Sequence, residues 1–298
     1  NAYHGHTNTL IDLSPYKFKG KGGLGKKNYV HVAEMPDGLR GKWKYSDRNW
    51  INKYILQVKS ITDNLHENNI KLSCFFVESI LGCGGQVVLP PNYLSEVYKI
   101  IKKRKALFIV DEVQTGFGRV GNNFWGFEEH GVIPDIVTIG KPMGNGHPIA
   151  AVVTSKKIAN KFNNGMEYFN SFGGNPVSCA IGNAVLDVIE SEDLQNHAKI
   201  TGDYFISSLN MIKSKFPNLI SEIRGRGLFI GIDLINRKNH IPNERLATSI
   251  INKMKERGIL LSTDGPYHNV IKIKPPMVFN KDNVDTVCLE LNSILDNI

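Results

Sequence analysis

The chain has 298 residues, 41% of them hydrophobic and 21% charged, proportions ordinary for a folded globular protein. That length can bury one large core or two modest ones, and no apolar run approaches the ~18 residues of a spanning helix, so no membrane partner is expected. The net charge of +8 comes from scattered lysines whose densest cluster, Lys102 to Lys105, closes a helical pattern where cations complement the helix dipole, so no nucleic-acid partner is expected either.

Residues 1–45 read as loop and short extended pieces, broken by Pro15, Gly20, Gly22, Gly23, Gly25 and Pro36. No basic region followed by an apolar one opens the chain, so no signal peptide is visible. His4 and His6 have no Cys or carboxylate cluster beside them, so a turn is expected there and no metal site. The run from Gly20 to Lys27 nearly spells a phosphate-binding loop, but Lys27 stands where a Ser or Thr must reach magnesium and no apolar strand leads in. It reads as a flexible basic loop.

From about residue 50, helix and strand alternate. A helix over 51–69 precedes a buried strand over 73–77 that ends at Glu78. Pro90-Pro91-Asn92 opens a helix with Leu94, Val97, Tyr98 and Ile101 on one face. Strands follow over 107–110, 136–139 and 150–153, then a short helix over 155–162. Asn175 opens a helix to about 190, whose pattern resumes as far as Lys215 and is stopped by Pro217. Beyond lie a strand over 228–234, a helix over 243–257, strands near 259–262 and 270–273, and a last helix from Lys281. Gly225-Arg226-Gly227 precedes a strand, not a helix, which excludes a dinucleotide loop. The alternation predicts an α/β fold with a mostly parallel sheet and helices on both faces. A boundary near residue 200 divides a large unit, 1–200, from a smaller C-terminal α/β unit, 201–298. Cys74, Cys83, Cys179 and Cys288 are widely spaced, suggesting neither a zinc site nor disulfides, and a reducing compartment.

Two of these strands deliver chemistry. Leu107 to Val110 is a continuous apolar run of the kind buried on both faces of a parallel sheet, and Asp111 follows it. Ile136 to Ile139 is another, followed by Gly140 and Lys141. Ligands of open α/β sheets bind outside the carboxyl ends of the strands. A lone Asp there is ordinarily a turn former and a lone Lys ordinarily solvated surface. Together, 30 residues apart at two strand ends, they supply the carboxylate for a pyridinium nitrogen and the amine that pyridoxal 5'-phosphate requires.

Asp111-Glu112-Val113-Gln114-Thr115-Gly116-Phe117-Gly118-Arg119, with Pro134-Asp135-Ile136-Val137-Thr138-Ile139-Gly140-Lys141, closely resembles the signature of class III aminotransferases. These are pyridoxal-phosphate enzymes of fold type I. The resemblance runs from Tyr3-His4-Gly5 to the last helix. It implies that Lys141 is the Schiff-base lysine and Asp111 the partner of the ring nitrogen. Val113 would pack on one ring face, Tyr3 would stack on the other, and Gln114 would approach the ring hydroxyl. Ser171 would reach the phosphate of a neighbouring subunit's cofactor, implying a homodimer or higher oligomer. Family members also have a stretch before the position of Tyr3, with a Gly/Ser-rich turn at a helix N-terminus that holds the cofactor phosphate. The sequence lacks it, so the chain as given is expected to bind cofactor poorly alone, and any targeting peptide would have gone with that stretch. A cytoplasmic location is expected, or a mitochondrial one in a eukaryote.

Two departures bear on the reaction. Where many members of the family hold an Arg that clamps a substrate carboxylate, this chain has Lys272, in Ile271-Lys272-Ile273-Lys274-Pro275-Pro276. Where some have a Glu that pairs with that Arg, it has Cys83. Arg offers a two-pronged fork and Lys a point charge, so the change is not conservative. Both departures resemble the ethanolamine-phosphate and phosphohydroxylysine phospho-lyases, as do the segments Leu260 to Pro266 and Gly140 to Pro148. That similarity implies a lyase releasing ammonia and phosphate from a phosphorylated amine. The alternatives are an aminotransferase of the alanine–glyoxylate type and an inactive binding or scaffolding remnant.

Overall fold

A computed structural model of the chain describes residues 1–298. Two short helices, α1 (Asn8–Leu13) and α2 (Pro15–Phe18), stand where loop was expected. Pro15 suits a first helical turn because its missing N–H would have no partner there. Between the helices Ser14 Oγ donates to Leu10 O at 2.6 Å and accepts from His4 N at 3.0 Å. Elements this short are set by such contacts and leave little periodicity to read.

Next come α3 (Trp50–Glu67), β1 (Cys74–Glu78), a small antiparallel hairpin of β2 (Ile80–Leu81) and β3 (Val87–Val88), and α4 (Tyr93–Lys103). β4 (Leu107–Asp111), β5 (Ile136–Ile139) and β6 (Ala151–Thr154) complete the first sheet. Its order is β1-β4-β5-β6; β1, β4 and β5 are parallel and β6 joins antiparallel. Tyr54 and Val58 of α3, Leu94, Val97 and Ile101 of α4, and Phe108 and Val110 of β4 share one core. Parallel register places Glu78, Asp111 and Thr138 side by side across three strands. Two carboxylates therefore meet at the same sheet edge.

After α5 (Lys156–Phe162), helices α6 (Pro176–Ser191) and α7 (Leu194–Lys215) are separated by Asp193, which takes a left-handed φ of 48°. A second sheet is wholly antiparallel, in the order β7 (Ile220–Arg226), β8 (Phe229–Leu234), β10 (Val270–Ile273), β9 (Ser262–Asp264). Helices α8 (Glu244–Glu256) and α9 (Lys281–Asp296) pack on it with α7 around Phe205, Ile232, Ile250, Met254 and Leu291.

The sequence pattern missed β7 and placed β9 too early, near 259–262. β7 carries a register shift between Ile220 and Glu222, which interrupts the two-residue alternation by which a strand is recognised. Gly225 and Arg226 end that strand, and Gly227 makes the turn into β8 at φ 51°. A side chain at Gly227 would come within 2.5 Å of Arg119 O, so the close approach requires glycine.

Buried charges tie residues near 40 to this second sheet. Asp233 is fully buried, accepts from Arg40 Nε at 2.9 Å and pairs with Arg40 Nη2. Arg224 Nη2 lies 3.6 Å from Asp233, and Arg224 Nη1 lies 3.4 Å from Asp37. No helix is long and apolar enough to cross a membrane.

Candidate active site

At the carboxyl ends of β1, β4 and β5 lies a cavity of about 300 Å³, lined among others by Tyr3, His4, Glu78, Asp111, Val113, Gln114 and Lys141. Asp111 is 7% exposed. Its Oδ1 accepts the Val113 N–H at 3.1 Å, and its Oδ2 lies 2.9 Å from His4 Nδ1. The imidazole in turn packs on Phe76, ring centroids 4.1 Å apart. From the sequence alone, His4 is placed in a turn. It is instead the buried partner that fixes the Asp111 carboxylate from behind, across a separation of 107 residues. Its place between Tyr3 and Gly5 in the matching segment was the available signal.

Glu78, the neighbour of Asp111 on β1, accepts from Tyr3 N at 3.2 Å and from Gly82 N at 3.0 Å. It thereby ties the segment carrying Tyr3 and His4 to the hairpin carrying Cys83. Burial pushes the Glu78 carboxyl above the ordinary glutamate range; His4 opposes this and Asp111 adds to it. Glu112, for which the sequence suggested no role, is fully buried. It accepts from Ser79 Oγ, from Thr115 Oγ1 at 2.8 Å, and from Gly126 N and Phe127 N at 3.0 and 2.9 Å. It anchors the loop that follows the Asp111 strand.

Lys141 leaves β5 immediately after Gly140 and has a φ of 30°. A non-glycine residue at positive φ is strained, and such strain is commonly stored at functional positions. Its ammonium is exposed to the cavity. Tyr3 packs edge-on against Tyr16, ring centroids 5.5 Å apart.

Of the residues singled out from sequence, Tyr3, Asp111, Val113, Gln114 and Lys141 meet in this cavity. Lys272 and Cys83 do not line it. Lys272 Nζ is 3.3 Å from Asp264, which Gln86 Nε2 also contacts at 2.9 Å. The Cys83 thiol is pushed up to about 11 by burial and by Glu78 and Asp264, against the pull of Lys274 and Lys272. Ser171 lies apart from the cavity on an exposed stretch beside Phe169 and Phe172, which are 78% and 82% exposed. Lys274, also on the strand approach from β10, was not singled out; its ammonium donates to Gln114 Oε1 at 2.8 Å.

A family model described as Aminotransferase class-III matches residues 1–295. The chain belongs to that family. It is 46% identical over 301 residues to a Drosophila melanogaster protein named alanine–glyoxylate aminotransferase 2-like, covering 99% of this chain and 61% of the relative. It is 40% identical over 308 residues to ethanolamine-phosphate phospho-lyase homolog 1 of Caenorhabditis elegans, covering 99% and 66%. The chain thus spans about three fifths to two thirds of the length of these relatives. Among solved structures it superposes on a phospholyase from Arthrobacter in complex with phosphoethanolamine, with TM-score 0.92, 34% identity, and 100% and 69% of the two chains covered. The mostly parallel first sheet flanked by helices is the fold-type I arrangement these structures share.

Members of this family generally use pyridoxal phosphate, and the cavity's donor set fits the ring of that group. It offers a buried carboxylate for a pyridinium nitrogen, an amide for a ring oxygen, an aromatic and a branched aliphatic side chain for the two faces, and an amine.

Proposed function

We propose that the protein to which this chain belongs is a pyridoxal-phosphate-dependent phospho-lyase, releasing ammonia and phosphate from phosphoethanolamine or phosphohydroxylysine. The observation that carries this reading is the pair Lys272 and Cys83. An ammonium held at 3.3 Å from Asp264, beside a thiol kept neutral by burial, replaces the Arg and Glu that handle an α-carboxylate in many transaminases. The Arthrobacter neighbour, solved with phosphoethanolamine, supports the same substrate class. The relative named as an aminotransferase favours a second reading, amino transfer of the alanine–glyoxylate type.

The cofactor, when bound, supplies an electron sink for the carbon that bears the substrate amine. Asp111, held at both oxygens by Val113 N–H and His4, would present fixed negative charge to the ring nitrogen and keep it protonated. Val113 and Tyr3 would hold the ring between them, and Gln114 would donate to its oxygen. Lys141 Nζ would hold the cofactor covalently and then take the proton from the amine-bearing carbon.

Wild type should therefore release phosphate and ammonia from phosphoethanolamine or phosphohydroxylysine without consuming an α-keto acid. Lys272→Arg with Cys83→Glu should turn preference toward amino acids with an α-carboxylate. One charge-assisted contact of about 1.5–3 kcal/mol corresponds to roughly 10- to 100-fold in relative kcat/KM. Keto-acid-dependent amino transfer with no phosphate release by wild type would replace this reading with the second.

The active unit is, on the same reading, a two-fold assembly with shared sites. The exposed aromatics beside Ser171 support it, since they suit burial against a partner. Mixed Lys141→Ala and Ser171→Ala subunits should recover activity that neither has alone, because some sites in the hybrid carry no lesion. A fully active monomer in sedimentation rules the assembly out. The division near residue 200 into a cofactor unit and a C-terminal unit is supported by the separate cores around Phe108 and around Ile232, while α7 runs through the boundary itself.

A further inference from the structure

Lys274 lies two residues beyond Lys272 on the β10 strand and its extension, and so on the same face. Its Nζ donates to Gln114 Oε1 at 2.8 Å and lies 4.0 Å from the centroid of the Phe229 ring. Gly82 lies against this pair. A Cβ there would come within 3.0 Å of Gln114 Nε2, 3.3 Å of Glu78 Oε2 and 3.5 Å of Lys274 Nζ. Only a glycine at that position leaves the amide room.

An ammonium can only donate hydrogen bonds, whereas an amide has one oxygen that accepts and one nitrogen that donates. The charged Lys274 thus forces the amide oxygen of Gln114 toward itself and leaves the NH2 group for the cavity that Gln114 lines. We propose that Lys274 is a positioning residue that fixes the Gln114 amide so that an N–H faces the ring oxygen of pyridoxal phosphate. This rests on the cofactor reading given above.

The surroundings make the device sensitive to pH. Burial pulls Lys274 down to about 8; Asp264 opposes this, Lys272 adds to it, and Glu78 and Cys83 oppose it. Gln114 and Phe229 complete what faces the ammonium. A neutral amine accepts as well as donates, so above that pH the amide is free to turn its oxygen to the ring.

The test uses full-length protein loaded with pyridoxal phosphate, reading cofactor affinity by fluorescence and the cofactor's visible absorbance against pH. Lys274→Met should bind cofactor roughly tenfold more weakly, the size of one hydrogen bond to a charged group, and should lose a spectral step near pH 8 that wild type shows. Lys274→Arg should restore affinity and hold the low-pH spectrum through that range, since a guanidinium does not titrate there. In a Gln114→Ala background, Lys274→Met should change neither readout further. A Lys274→Met protein with wild-type affinity and spectral step overturns the assignment, as does an undiminished effect of that substitution without Gln114. A wild-type protein that never acquires the cofactor band overturns the cofactor reading itself. Failure of the Lys274 assignment alone would leave that band in place.

Discussion

Borohydride should fix pyridoxal phosphate covalently in the wild-type protein, and replacing Lys141 by Ala should abolish that link. The replacement should also lower turnover by at least about 10²–10⁴-fold, the contribution of a positioned proton-transfer group alone. The expectation rests on the convergence of an exposed, strained Lys141 with Asp111 on one cavity. The two effects would have one cause, since the same Lys141 amine would hold the cofactor and serve as the proton-transfer group. Mass mapping of the reduced, digested protein checks the first effect and phosphate release checks the second. A reduced adduct on another lysine, such as Lys274, whose ammonium bonds Gln114, would sink the assignment.

Asp233→Ala should destabilise the chain by about 3–5 kcal/mol, the usual cost of removing one partner from a buried ion pair. Asp233 has no exposed surface and faces the guanidinium groups of both Arg40 and Arg224, and Ser221 Oγ also bonds its carboxylate. Without it, two largely buried positive charges confront each other with only Asp37 and Glu222 to share. A double replacement of Asp233 and Arg40 by apolar residues should recover part of the loss, because the orphaned charge is what makes the single change expensive. Guanidinium denaturation of each variant measures both. A single-variant loss under about 1 kcal/mol would show that water reaches the pair and screens it.

The parts of the fold that were legible in the sequence are those whose signal is local. β4 and β5 are short unbroken apolar runs because both of their faces are buried, and the same burial puts Asp111 and Lys141 at their ends. α3, α4 and α8 show their apolar stripes because one side of each faces a core. The chemistry behind those ends was not legible. His4 meets Asp111 across 107 residues, Tyr3 N–H meets Glu78 across 75, and Lys274 meets Gln114 across 160. No local pattern encodes such contacts, since each partner taken alone is an ordinary polar residue in an ordinary place. β7 escaped for a different reason: its register shift scrambles the alternation over Ile220 to Arg226. Ser171 could be named only by resemblance, and its position on an exposed stretch neither joins it to the cavity of its own chain nor gives it another contact there.

The groups proposed to bear on bond making and the ammonium proposed to bear on substrate choice stand on different sheets. Asp111 and Lys141 end strands of the first, while Lys272 lies on β10 inside the second, which is joined to the signature loop where Arg119 Nη1 donates to the carbonyls of Leu228 and Pro275 at 3.1 and 2.8 Å. For descent with modification this is a favourable layout. A gene that varies β10 alone would change the proposed substrate contact at Lys272 and leave the strands that end in Asp111 and Lys141 untouched. Duplicated copies of such a gene would diverge in what they accept long before they diverge in how they break a bond.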